Sequence, residues 1–203
     1  MIIFNIVGMV VIFIGIFTLL QVPVFLFFRK NVIGDLEKIL GGKLKFNIFY
    51  LALNGNWCGK EVSLAILPPN VKTASRGIGE GKLTIKYSVR SSFKLKIEKK
   101  KRFPIFNRNN AFLKDNATGF IDKYSIHTDN YELTNKYLFS LENQQVVATL
   151  LDTYNFESIL IMPGKIYAKK KLFSNFDVAE SKILSVLKVL EQISVLVSGI
   201  SGK

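Results

Sequence analysis

An α+β fold is what this sequence predicts, and three observations predict it. Residues 2–28 carry no ionisable side chain. Residues 43–98 place apolar side chains largely at every second position, the period of a strand with one face buried. Residues 174–200 repeat them at every third or fourth position, the period of an amphipathic helix. The chain reads as a single N-terminal transmembrane helix, then a soluble domain of antiparallel hairpins closed by a C-terminal amphipathic helix.

Composition sets the outer limits. With 203 residues and 49% hydrophobic side chains, the chain is too apolar to remain disordered. One cysteine and one histidine exclude an intramolecular disulfide and a four-ligand structural zinc site. No metal or cofactor is implied. Twenty-eight Lys+Arg against 15 Asp+Glu give a net charge of +13, which points to anionic partners.

The anchor is residues 1–28. As a helix rising about 1.5 Å per residue, it exceeds a hydrocarbon layer of roughly 30 Å, and the span is expected over residues 3–23. Phe27 and Phe28 then lie near the interface, with Arg29 and Lys30 among the headgroups. A cleavable signal peptide would need a basic start, a shorter core and small residues at a cleavage site, and none is present. Basic residues are absent before the span, whereas Arg29, Lys30, Lys38, Lys43 and Lys45 follow it. Lys and Arg beside a span stay on the cytoplasmic side, so a single-pass membrane protein with a cytoplasmic C-terminal domain is expected.

Residues 29–42 form a juxtamembrane linker. Within it, Val32, Ile33, Leu36 and Leu40 mark one face of a short helix that Gly41-Gly42 stops. Residues 43–98 form an antiparallel β subdomain. Leu44, Phe46, Ile48 and Tyr50 alternate with polar residues, Asn54-Gly55-Asn56 signals a turn, and Glu61–Leu67 is a second strand halted by Pro68-Pro69. Lys82–Val89 alternates cleanly, and Phe93, Leu95 and Ile97 continue past Arg90-Ser91-Ser92 as its neighbour. Residues 99–119 lack a period and read as a loop or linker.

Residues 120–203 form an α+β subdomain. Phe120–Ile126 is expected as a strand, and Asp129 with Glu132 as the capping start of a helix reaching Phe139. Val146, Val147, Leu150, Leu151 and Tyr154 mark the buried stripe of another helix. Phe156–Met162, the Pro163-Gly164 turn and Lys165–Lys171 form a hairpin. Ser174 and Asp177 suit the start of the last helix, whose Ile183, Leu187, Leu190, Ile193 and Val197 face inward. Its Lys182, Lys188 and Glu191 argue against a second span, because each would cost about 2.5–3.5 kcal/mol at the centre of a bilayer.

No constellation names a reaction, and the chain reads as non-catalytic. Gly77-x-Gly79-x-Gly81-Lys82 has the glycines of a phosphate loop but leads into a strand and lacks the loop's spacing. Cys58 would need His127 as its base, and the two fall in different subdomains. Asp122, Asp129 and Glu132 lack the density of a calcium loop.

The anomaly is charge. Lys82, Lys86, Arg90, Lys94, Lys96, Lys99, Lys100, Lys101 and Arg102 face only Glu98, and a second basic cluster is Lys169-Lys170-Lys171. The alternation puts Lys82, Lys86, Lys94 and Lys96 on one wet face. A solvated edge defended by lysine accounts for such a run. The functional expectation is an accessory, scaffold or assembly module in a membrane complex, with the bilayer and a protein as partners. The alternative is an anionic phospholipid on the Lys82–Arg102 surface, at about 1 kcal/mol per basic residue. Nucleic acid would use the same charge, but no recognition signature accompanies it. A tethered enzyme with a site assembled from distant segments is the third class.

Overall fold

The computed structural model describes residues 9, 12, 26–27, 29–30, 33–47, 50–68, 81–100, 118–172 and 174–201. Among the described residues eight strands are present: β1 (Lys43–Asn47), β2 (Tyr50–Trp57), β3 (Lys60–Leu67), β4 (Gly81–Val89), β5 (Leu95–Lys99), β6 (Tyr124–Thr128), β7 (Ser158–Met162) and β8 (Gly164–Leu172). Among the described residues after 32, five α-helices accompany them: α1 (residues 33–39), α2 (Thr118–Lys123), α3 (Tyr131–Phe139), α4 (Leu141–Ala148) and α5 (Glu180–Ser201). The fold is α+β, as the periodicities require. The strands form one antiparallel sheet in the order β1-β2-β3-β4-β8-β7-β5-β6.

All the described helices pack on one face of this sheet. On β4, Leu83, Ile85, Tyr87 and Val89 are buried while Lys82, Thr84, Lys86 and Ser88 are not, and the register carries that division from strand to strand. Helix α5 lays Ile183, Val186, Leu187, Leu190, Ile193 and Val197 on the apolar face. Helix α1 adds Ile33, Leu36 and Leu40. Fully burying one such side chain contributes about 1.5–3 kcal/mol. The buried residues of the earlier and later segments belong to a single cluster.

Several expected elements are placed differently. The strand expected at 43–50 ends at Asn47, and Tyr50 folds back opposite it to start β2. Asn54-Gly55-Asn56 is strand interior, and the turn is Cys58-Gly59, with φ of 49° and 74° between paired Trp57 and Lys60. Gly55 is required for another reason: a Cβ there would lie 2.7 Å from Leu40 Cβ. Strand β5 does not neighbour β4; it pairs with β6 and β7, and β8 and β7 fill the gap. Local alternation fixes faces but carries no information on strand order.

Residues 120–123, expected as the start of a strand, are helical and belong to α2 (Thr118–Lys123). One helical turn brings Phe120 onto Tyr124, with ring centroids 4.6 Å apart. The cap of α3 is Asn130, which accepts from Leu133 N at 3.0 Å, while Asp129 accepts from Lys94 N at 2.7 Å. Ser174 N does donate to Asp177 (3.1 Å), but this closes a 3-10 turn, Asn175–Val178, ahead of α5. The Pro163-Gly164 hairpin is as expected, with Gly164 at φ 84°.

The expected span, 3–23, falls outside the described residues except for Met9 and Ile12, which are helical and exposed. Gly77, Gly79, Lys101, Arg102 and Phe28 also fall outside them. Among the described residues, α5 is the helix long and apolar enough to cross a membrane; its apolar stripe is buried on the sheet.

Candidate functional site

With the helices on one side, the opposite face of the sheet is uncovered among the described residues. Alternation assigns its side chains. Strand β1 contributes Lys43 and Lys45, β4 contributes Lys82 and Lys86, and β8 contributes Lys165, Tyr167, Lys169 and Lys171. Ser63, Ala65, Thr84 and Ser88 lie between them, and β7 adds half-buried Leu160 and Met162. The result is a broad shallow surface of lysine heads over small polar and apolar ground.

The register concentrates the charge beyond what β4 alone supplies. Lys82 stands directly opposite Lys171, Thr84 opposite Lys169, and Ser88 opposite Lys165. Like charges facing each other across an antiparallel pair are destabilising by a few tenths to about 1 kcal/mol. Lys43, Lys45, Lys82, Lys86, Lys165 and Lys169 have no carboxylate within salt-bridge reach among the described residues. Lys86 instead lies over the Tyr167 ring, 5.7 Å from its centroid. Lys171 reaches Glu157 at 3.8 Å. Edge defence accounts for Lys43 and Lys45 on edge strand β1 but not for the lysines of β4 and β8, which are central strands.

The basic run of the sequence is therefore divided. Lys82 and Lys86 join the β8 lysines, whereas Lys96 of β5 lies on the same face three strands from β4. There Lys96 pairs with Glu98 at 2.6 Å, and His127 stands 3.6 Å from the same carboxylate. Lys99, in phase with buried Ile97 and opposite buried Tyr124, lies on the other face and reaches Asn155 at 3.0 Å and Asp152 at 4.0 Å. Lys94, Arg90 and Lys100 are exposed. Thus β5 is locally neutralised and the excess charge sits on β1, β4 and β8. The β8 lysines were visible in sequence as a triplet, but only the pairing of β4 with β8 shows that they belong to this surface.

The triplet is itself split by the strand period. Lys169 and Lys171 face outward, and Lys170 is inside, 3% exposed. Its ammonium donates to Asp177 (2.6 Å) and to the Tyr154 carbonyl (2.9 Å), beneath the Phe156 ring. Arg29, expected among headgroups, is 5% exposed. Burial lowers its pKa and the Asp177 charge counters that. Lys30 is exposed and lies over the Phe46 ring at 5.5 Å, with Phe27 also exposed.

The other sequence candidates are kept apart. Cys58, at the β2–β3 turn, and His127, on edge strand β6, stand near opposite ends of the sheet. Desolvation and the Glu191 carboxylate raise the Cys58 thiol above its ordinary value, which suppresses the thiolate. Trp57 donates to Glu191 (3.2 Å) and locks the turn to α5.

The class defined by this geometry is a two-layer α+β domain with helices on one sheet face and a basic, open second face. Comparison with known proteins finds no matching family model, no matching curated protein and no matching solved structure.

Proposed function

We propose that the chain is a single-pass, membrane-anchored, non-catalytic assembly module. Residues 1–28 cross the bilayer, the domain lies on the cytoplasmic side, and the open lysine-rich face receives the acidic surface of a partner protein. One observation carries this reading: Lys82, Lys86, Lys165 and Lys169, with no carboxylate within salt-bridge reach among the described residues, crowd one face of the central strands β4 and β8, at a cost that folding gives no reason to bear. A surface mixing lysine with half-buried Leu160, Met162 and Tyr167 also suits a protein interface, which combines apolar ground with polar contacts.

The test is complex formation by the full chain in mild detergent, followed at increasing salt. Lys82→Glu with Lys169→Glu should abolish a salt-sensitive complex with an acidic protein while leaving the fold intact. A monomeric wild-type chain, or a complex indifferent to both the substitutions and salt, overturns the reading. A second reading, contact with anionic phospholipid, is favoured by Lys30 above exposed Phe46 beside the anchor. Flotation with phosphatidylserine vesicles that the same substitutions weaken would select it over the protein partner.

A further inference from the structure

We infer that the β1 end of the open face holds a binding site for a phosphate-ester group. The sheet surface there is hollowed into a cavity of about 520 Å³ bordered by β1, β2, β3, β4 and β8, a size suited to a small ligand. Lys43 and Lys45 enter it from β1, Lys86 from β4 and Lys165 from β8. Glu61 is the acidic residue in its wall, so the lining is strongly positive. Asn54 and Asn56 add amide donors between the lysines.

The chemistry selects phosphate. A dianionic phosphate has three acceptor oxygens, and ammonium groups arriving from several directions can share them as point charges. A single carboxylate would leave most of this charge uncompensated. The surrounding backbone does not oppose an anion. The closing carbonyls of α1 are taken internally, Glu37 O by Gly42 N (3.0 Å), Lys38 O by Gly41 N (3.4 Å) and Leu40 O by Asn56 N (2.8 Å).

The inference rests on this cavity and goes beyond protein docking on the face. Lys43 and Lys45 are remote in strand order from Lys169, so the two readings fail separately.

Lysine acetylation footprinting of the full chain in phosphatidylcholine nanodiscs tests it. Inorganic pyrophosphate is one probe, and phosphatidic acid mixed into the disc is the other. Selective protection of Lys43, Lys45 and Lys86, with exposed Lys38 and Lys188 unprotected, supports the site. Protection by pyrophosphate assigns a soluble phosphate ester, and protection by phosphatidic acid alone assigns a lipid headgroup. Lys43→Gln with Lys45→Gln should weaken the effective probe about tenfold or more, and Glu61→Gln should tighten it. Lys82→Glu with Lys169→Glu should leave it within about twofold, screened by salt. If the double glutamine variant misfolds, Lys45→Gln and the wild-type footprint still decide. No selective protection by either probe, or unchanged affinity in a folded glutamine variant, overturns the inference.

Discussion

Asp177 is the residue on which the interior charges converge. Its carboxylate lies 2.6 Å from Lys170 and 3.6 Å from Lys182, and its field acts on Arg29. Removing one partner of a buried pair leaves an uncompensated charge, so Asp177→Asn should cost about 3 kcal/mol or more in equilibrium denaturation. Lys182→Ala removes a half-exposed partner and should cost under about 1 kcal/mol. Equal effects would show that Asp177 is not the hub. Tyr87 offers a pH signature. It is fully buried, its hydroxyl has no hydrogen-bond partner among the described residues, and burial raises its pKa from 10.0 to about 12. The folded state holds this proton more tightly than the unfolded state. Stability from this group is therefore present below pH 10 and is lost as pH rises towards 12. Tyr87→Phe should remove that part of the alkaline loss while changing neutral stability little. An unchanged alkaline slope in pH-dependent melting would contradict it.

Between elements, the end of α1 and strand β2 approach closely. Gly55 sits under Leu40, and an added Cβ would meet the Leu40 carbonyl oxygen at 2.6 Å. Gly55→Ala should therefore push α1 from the sheet and cost about 1–3 kcal/mol, the scale of overpacking. Loss of hydrogen-exchange protection at the Asn56 amide, which donates to Leu40 O, would locate the damage; full protection would refute it. This glycine was legible in sequence only as a turn signal. Its need for close approach arises from a helix that local patterning cannot place. Helix faces and strand faces were legible, as the buried stripes of α1 and α5 show. The α2 turn was not, because Phe120–Ile126 alternates no better than it winds, and Phe120 stacking on Tyr124 settles it.

At the scale of the whole molecule, an eight-stranded sheet has helices on one face and lysines on the other. The charge is not needed for folding, so neutralising part of it should not destabilise the domain. Lys82→Gln with Lys169→Gln should hold or raise the melting temperature by relieving repulsion. A drop of several degrees in thermal unfolding would assign those lysines a structural role. The candidate surface was half legible: Lys82 and Lys86 were expected on a wet face, and both are exposed on the open side of β4. The β5 lysines grouped with them lie three strands away beside Glu98 and Asp152, because chain neighbours need not be sheet neighbours.

Sequence alone determined the faces. Periods of two and of about 3.6 state which side chains turn inward, since burial is decided locally by alternation and winding. Strand order, the partition of Lys169, Lys170 and Lys171 between surface and core, and the joining of β4 to β8 were decided by tertiary pairing alone. Those depend on contacts between residues far apart in the chain, where the apolar pattern is equally satisfied by many arrangements and only the packed whole selects one.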